Sequence, residues 1–396
     1  MWVQGRKQAW GALSNVRKAR GGRKLVWLHA ASAGEFEQGR PILDALKVQI
    51  PDVFVLVSFF SPSGYNLHHS YRGADLVVYL PEDSESNALK WMEWVQPNLS
   101  LFVKYEYWYH YYRAHRLLGV PLWVVSAPFR RSQPFFRYPT AGFWGQMLES
   151  VDHFYVLNAE SKALLQELGI ERVTINGDTR IDRVLNIRNT EYTDPILDAF
   201  CHNARVLVAG STWPADEKLL LEWLVQENKR DCQSPYKLIL VPHHPDFRRI
   251  DRQILQATDI RRTMLRWTTA GVGQASDAQI LWIDQMGMLS RLYRYGCCAW
   301  VGGGMGAGIH NILEAAVYGI PVGFGPNHQR FFEAGELIKQ NWAFTARTPT
   351  QLKASLDRLL ANPGADQIRE GLHGWFNENQ GASQRITEHA VALLGH

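Results

Sequence analysis

The run from His29 through Ser32 and Gly34 to Glu35 places small residues and one carboxylate where a short apolar stretch gives way to an amphipathic one. Small residues let a backbone approach a ligand closely, and the free amides of a starting helix favour an anion or a polar ligand group. Glu35 falls in the first helical turn beside those amides, and its plainest role is a charge that complements the helix macrodipole. The same residues also read as Ala-x-Ser32-x-Gly34, a relative of the hydrolase nucleophile elbow. Such an elbow follows several strands of its sheet, whereas here one recognisable strand precedes it.

A second run has five glycines, at 302, 303, 304, 306 and 308, followed by His310, Asn311 and Glu314. Gly302, Gly304 and Ala307 imitate a dinucleotide fingerprint, but a ribose-binding acid is expected roughly 20 residues later. Residues 319–330 hold no Asp or Glu. What remains is a phosphate cradle on a helix start, with Asn311 and Glu314 three apart on one helix face, where a carboxylate can accept both hydroxyls of a ribose. Tight packing of a strand against a helix would demand glycine as well. Ser211 and Thr212, ahead of Asp216 and Glu217, and His243 and His244, between prolines, offer hydroxyl and imidazole donors to a nucleotide phosphate. The plain accounts are a helix cap and a turn.

Two further segments, 105–112 and 129–138, mix aromatic and basic residues, with Glu106 in the first and Arg130 and Arg131 in the second. They could bind RNA by stacking, or an amphiphile whose phosphate meets arginine and whose chains meet phenylalanine; the small net charge favours the amphiphile.

These residues need elements to hold them. Apolar runs at 24–30, 53–59, 76–80, 99–103, 122–126, 154–157 and 173–175 alternate with helix-like stretches such as 36–48 and 160–168. That alternation predicts a parallel sheet covered on both faces. Periodicity lapses over 183–203, where Asn, Thr, Asp and Pro accumulate, which predicts a linker. A second series follows at 205–209, 237–241, 280–283, 299–301, 321–324 and 343–345. The expectation is an α/β chain of two Rossmann-like domains, 1–190 and 191–396, facing each other across a cleft, with the final helices returning to the first domain. In open α/β sheets ligands bind beyond the carboxyl ends of the strands, which is where the runs singled out above fall.

At roughly 150 residues per domain, 396 residues exceed a single small module. With 46% hydrophobic and 20% charged residues, disorder is excluded. A net charge of +4 is too small for a nucleic-acid coat. Arg6, Lys7, Arg17, Lys18, Arg20, Arg23 and Lys24 all precede the first acid, Glu35. With Trp2, Val3, Trp10, Leu13 and Val16 they predict either an interfacial surface for anionic lipid or a solvated arm carrying a short helix. No run reaches the roughly 18–20 apolar residues of a spanning helix, and no signal-peptide pattern precedes the first strand. Cys201, Cys232, Cys297 and Cys298 show neither CxxC spacing nor a disulfide framework, as expected in the cytosol. The adjacent pairs His68-His69 and His243-His244 do not converge on one ion, so no metal site is expected.

Taken in order, these motifs resemble one family, the 3-deoxy-D-manno-octulosonic acid (Kdo) transferases of lipopolysaccharide assembly, which have the GT-B glycosyltransferase fold. The resemblance runs through His29 to Glu35, Glu106-Tyr107-Trp108, Ser211 and Thr212 with Glu217, and Val241 to Pro245. It continues through Asp284 to Gly287 with Met286, the glycine loop into His310, Asn311 and Glu314, Gly325-Pro326, and Gly381 to Arg385. Departures are His243 where the family usually has arginine, Ser126-Ala127-Pro128 for its Asn-Ala-Arg, and Gly177 to Arg180 for its Gly-Asn-x-Lys; the last keeps a positive charge. The family's hydrophobic amino-terminal anchor is missing, so the chain is either shortened or held peripherally by its cationic segment.

The resemblance implies an inverting glycosyltransferase that moves Kdo from CMP-Kdo to a lipid A precursor at the cytoplasmic face of the bacterial inner membrane, without cofactor, metal or nucleic acid. Glu35 would be the general base, and Ser32, Gly34, Glu106, Arg130 and Arg131 would meet the acceptor. Ser211, Thr212, His243, His244, Met286, Gly287, Gly303, Gly304, Gly308, His310, Asn311 and Glu314 would hold the donor. A surface-cleft glutamate with a pKa of ~4.3 is ionised at neutral pH and needs no tuning for this work. Two other readings stand beside it: a GT-B transferase using a different nucleotide sugar, and a membrane-peripheral binding protein that kept the fold without catalysis.

Overall fold

The computed structural model describes residues 2–104, 106–137, 141–228, 236–244, 264–361 and 363–395. Two units separate within the chain, Met1–Arg183 with Asn379–His396, and Val184–Glu378. In the first, β1 (Leu25–Ala30), β2 (Phe54–Phe59), β3 (Leu76–Tyr79), β4 (Leu99–Val103), β5 (Leu122–Ala127), β6 (His153–Val156) and β7 (Val173–Ile175) form a parallel sheet in the order β3-β2-β1-β4-β5-β6-β7. All six residues of β1 are buried, as befits a central strand covered on both faces. The period of two sends Trp27 to one face, into a cluster with Trp91, Phe102 and Tyr111. Val26 and Leu28 go to the other face, with Phe36, Leu43 and Val57.

The second unit repeats the architecture with β8 (Arg205–Thr212), β9 (Tyr236–Pro242), β10 (Met264–Arg266), β11 (Ile280–Trp282), β12 (Cys298–Val301), β13 (Val322–Phe324) and β14 (Ala343–Thr345). Their order is β10-β11-β9-β8-β12-β13-β14, again parallel. The edge strand β10 is absent from the sequence pattern because it is only partly buried and ends on an exposed arginine, so no apolar run marks it.

Two expectations need correction. The stretch 183–203 is no open linker, since the helices Thr179–Asn189 and Pro195–Cys201 occupy most of it. Its Asp and Pro are helix-start chemistry: Asp194 accepts from the amides of Ile196 (2.9 Å) and Leu197 (3.1 Å), and Pro195 occupies the first helical position. The units accordingly divide at 183/184, inside a helix, and not at 190/191.

The amino-terminal segment is no solvated arm either. It forms the helices Trp2–Leu13 and Val16–Arg20, and its arginines bind the end of the helix Glu85–Val95. Arg17 donates to the carbonyl of Glu93, while the two bonds of Arg20, to the carbonyl of Gln96 and to Asn98 Oδ1, are both 2.7 Å. Arg23 pairs with Asp75 at 2.9 Å, and Arg6 is buried over the Phe60 ring. Cations gathered on the last carbonyls of a helix complement its dipole. Lys18 and Lys24 stay exposed. No described helix is long and apolar enough to cross a membrane.

The last helix, Ala382–Leu394, belongs to the first unit, where Ile386, Ala390 and Leu394 share the core of Val26 and Leu28. Asp182 fastens its start, accepting from Gly381 N (2.5 Å) and from both the amide and the hydroxyl of Ser383 (2.6 Å each). Replacing Asp182 by alanine orphans three donors. The first unit is expected to lose about 2–3 kcal/mol, read as a lower denaturant midpoint at unchanged slope.

Candidate active site

All strands of each sheet run parallel, so their carboxyl ends share one edge. The strand order reverses between β1 and β4 in the first unit and between β8 and β12 in the second. Ligands of open α/β sheets bind at such switch points. Lys104 (φ 61°), Ser126 (φ 54°) and Ser211 (φ 52°), at the ends of β4, β5 and β8, hold left-handed backbone. That conformation costs a non-glycine residue about 1 kcal/mol or more and gathers at functional edges.

At the first switch point, Ser32 is the extended N-cap (φ −132°, ψ 168°) of the helix Ala33–Gln49. Its hydroxyl accepts from the Glu35 amide (3.4 Å), while Glu35 Oε2 accepts from the Ser32 amide (2.9 Å) and hydroxyl (3.1 Å). This reciprocal capping box fixes the carboxylate at the end of β1. A hydroxyl engaged in a cap, on relaxed extended backbone, is not a strained nucleophile elbow. Gly34 is exposed, and a methyl group added there would meet nothing within 4 Å, so packing gives no reason for the glycine. Glu35 is half-buried and not at the surface as its sequence context suggested. Burial, and after it the Glu106 carboxylate, push its pKa above the ordinary glutamate value, against the opposing pull of Ser32 and His29.

Glu106 is buried at the end of β4, next to β1. Its Oε2 accepts from Trp108 Nε1 (2.8 Å) and lies 3.1 Å from His29 Nε2. It therefore faces its neighbours more than an open acceptor pocket. Arg131 forms an exposed ion pair with Glu167, and the Arg130 amide donates to Gln133 Oε1 at 2.9 Å, both in the loop beyond β5. Arg180, which keeps the positive charge of the family's lysine, grips Asp178 through Nε (2.9 Å) and Nη2 (2.6 Å). Burial alone would raise the Asp178 pKa, but Arg180 and Lys104 hold it below the ordinary aspartate value.

The second switch point gathers Ser211, Thr212, the two histidines after β9, and the glycine loop after β12. Gly303 (φ 93°) and Gly308 (φ 139°) require glycine, and a side chain on Gly304 would stand 2.7 Å from the amide nitrogen of Gly325. The loop is closed by turns in which Gly306 N and Gly308 N donate to Gly303 O. The following helix is only Leu313–Ala316, which corrects the expectation that Asn311 and Glu314 share one face of it. Asn311 precedes it, capping Leu313 N (3.2 Å) through Oδ1 and donating to Glu314 Oε1 (3.1 Å).

Three rings lie at this edge. His243 stacks between Trp213 (centroids 4.8 Å) and His310 (4.7 Å), and Trp213 Nε1 donates to His310 Nε2 at 3.2 Å. Burial lowers the His310 pKa below the ordinary histidine value. His244 is exposed beside them, as are Met286 and Gly287 after β11. Thr212 turns inward, fully buried, and donates to Glu217 Oε1 (3.1 Å), so its hydroxyl supports the loop. Pro245, the end of its motif, lies outside the described residues.

Sequence reading passed over Asp216. Fully buried, it accepts from Trp213 N (3.0 Å), Trp300 Nε1 (3.1 Å) and Gly303 N (3.0 Å), tying the helix after β8 to the glycine loop after β12. The signal available was an acid three residues after Trp213 at a helix start, the spacing of a cap; its long-range partners carried none.

The family model described as 3-Deoxy-D-manno-octulosonic-acid transferase (kdotransferase) matches residues 5–183. A 3-deoxy-D-manno-octulosonic acid transferase of Bordetella pertussis is 26% identical, with 100% of this chain and 95% of the relative covered. One of Haemophilus influenzae is 23% identical, covering 92% of this chain and 86% of its own. Among solved structures, UDP-GlcNAc 2-epimerase from Neisseria meningitidis bound to UDP-GlcNAc superposes with a TM-score of 0.63 at 14% identity, covering 94% of this chain and 99% of that one. CalG4, the calicheamicin glycosyltransferase, gives 0.56 at 10% identity, covering 95% and 99%. These likenesses establish a GT-B fold of two Rossmann-like domains.

Asp216→Ala leaves three donors of the second switch point without an acceptor. Thermal and denaturant unfolding should report a loss of about 2–4 kcal/mol.

Proposed function

We propose that this relative of the Kdo transferases is an inverting glycosyltransferase that moves Kdo from CMP-Kdo to a lipid A precursor. The observation that carries the reading is Glu35, a carboxylate fixed by its own cap at the carboxyl edge of β1, one residue after a glycine that packing does not require. In the reaction Glu35 takes the proton of an acceptor sugar hydroxyl as that oxygen bonds to the anomeric carbon of Kdo. CMP leaves with the electron pair, and a single displacement inverts the centre.

The first unit is assigned the acceptor, with Arg130 near its phosphate, and the second unit the donor. There the side-chain-free glycine loop lets the one phosphate of CMP-Kdo approach its backbone, its Gly303, Gly306 and Gly308 amides being spent on its own shape, and the imidazoles of His243, His244 and His310 are offered to that phosphate, and Asn311 with Glu314 to the ribose. The proposed place of action is the cytoplasmic face of the inner membrane, where the exposed Lys18 and Lys24 favour anionic lipid.

The test is a mass-spectrometric transfer assay with CMP-Kdo generated in the reaction and a lipid A precursor in detergent. Wild type should add one or more Kdo masses, and Glu35→Gln should slow the addition by about 10²- to 10⁴-fold. Folded wild type that ignores CMP-Kdo but transfers from another nucleotide sugar would overturn the donor assignment. The raised pKa of Glu35 sets the pH dependence. The base must be ionised, so the rate falls as pH drops through the Glu35 pKa, and the acidic limb of kcat should lie above the ~4.3 of an ordinary glutamate.

A further inference from the structure

A cavity on the first unit lies outside everything the transfer reaction uses. Its volume is about 450 Å³, within the roughly 300–1,000 Å³ that holds small ligands. The helix Ala33–Gln49 supplies Arg40 and Asp44, and the helix Pro62–His68 with the loop after it supplies Leu67, Ser70, Tyr71 and Arg72. Arg40 and Asp44 follow Glu35 by five and nine residues. At 3.6 residues per turn they are rotated about 140° and about 180° from it around the helix axis, so the cavity belongs to the flank turned away from the base.

Specific bonds order the wall of this cavity. The Tyr71 ring packs edge-on against Phe36 (centroids 5.1 Å), lies beneath the Arg40 guanidinium (5.2 Å), and donates through its hydroxyl to Asp44 Oδ1. Burial, and after it Asp44, push the Tyr71 pKa well above the ordinary tyrosine value, so the phenol keeps its proton and the carboxylate accepts. Gly73 makes room for the ring, since a side chain there would stand 2.2 Å from the Tyr71 hydroxyl oxygen. Asp44 is thereby engaged, and its bond to Arg40 is a long one, from Nε to Oδ2 at 3.4 Å. Among the described residues no acceptor meets the two Nη groups of Arg40 or any nitrogen of Arg72.

Two guanidiniums against one carboxylate leave the lining with one positive charge in excess. His68, beside them, adds none: burial, then the positive fields of Arg40 and Arg183, lower its pKa to about 4. A guanidinium presents its N–H groups as a planar fork that matches the oxygens of a phosphate. Asp44 and the Ser70 hydroxyl can take sugar hydroxyls, and the exposed Leu67 gives the rim an apolar edge. We propose that this cavity binds a phosphate monoester carried on a sugar, with the phosphate between Arg40 and Arg72 and the sugar hydroxyls on Asp44 and Ser70. Two sources share that chemistry: a nucleoside monophosphate, such as the CMP released in the reaction proposed above, and a glycosyl phosphate. The site stands apart from Glu35 and does not depend on reading it as the base.

Tyr71 is the local reporter. Protein carrying carbon-13 at the tyrosine Cζ, with the Tyr71 signal assigned by Tyr71→Phe, is titrated with CMP, N-acetylglucosamine 1-phosphate, inorganic phosphate and N-acetylglucosamine. One or both esters should shift the Tyr71 signal saturably and more tightly than inorganic phosphate, while the neutral sugar leaves it in place; the ester that saturates first identifies the source. Arg72→Gln, an exposed change that leaves the core untouched, should weaken ester binding by about tenfold, and Arg40→Gln should do the same. A Tyr71 signal indifferent to both esters overturns the proposal, and so does undiminished affinity in Arg72→Gln and Arg40→Gln. Equal affinity for inorganic phosphate and the esters would strike the sugar from it. CMP that binds by calorimetry without moving Tyr71 is held elsewhere and counts against CMP as the occupant here.

Discussion

The first unit depends on one constraint, the reciprocal grip between Ser32 and Glu35 at the end of β1. A strand buried on both faces must deliver its chain to the carboxyl edge of the sheet, where the next helix begins with unsatisfied amides. Glu35 answers the Ser32 amide from the third helical position, so the bond that starts the helix also fixes the carboxylate. The plain reading of Glu35 from sequence, a charge beside a helix start, is realised in this geometry as a reciprocal cap.

The second unit solves a similar problem by other means. Its glycine loop precedes a helix of four residues, too short to offer a substantial dipole, and keeps its shape through backbone turns and the Gly304 to Gly325 approach. Asp216 clamps the loop from beneath with three bonds. Several residues of the recognised motifs, Thr212 and Asn311 among them, satisfy neighbours within the loop and hold the rest of the edge in place. A motif therefore includes the residues that build a site together with those that touch its ligand.

Charge tells the same story at the amino terminus. Seven cations ahead of the first acid suggested a free surface, yet Arg17 and Arg20 close the end of a helix some seventy-six residues along the chain, and Arg23 pairs with Asp75. Guanidinium groups with carbonyls and carboxylates in reach become structural wherever the fold brings them together. Arg180 on Asp178 is a second case.

The alternation of apolar runs announced thirteen of the fourteen described strands, since a strand buried on both faces can hardly be written in any other residues; β10, partly exposed at the sheet edge, has no apolar run to announce it. The helix start that carries Glu35 was legible as well, although the cap joining it to Ser32 three residues back was read there only as a charge beside the helix dipole. The sequence by itself thus determined the strands, the two α/β units and the edge where chemistry belongs. The tertiary structure alone decided which polar groups face each other there: His29 with Ser58 and Glu106, Asp216 with Gly303, Asp182 with the last helix. Those partners are separated by 29 to 201 residues, and only strand order brings them together; local periodicity carries no information about it.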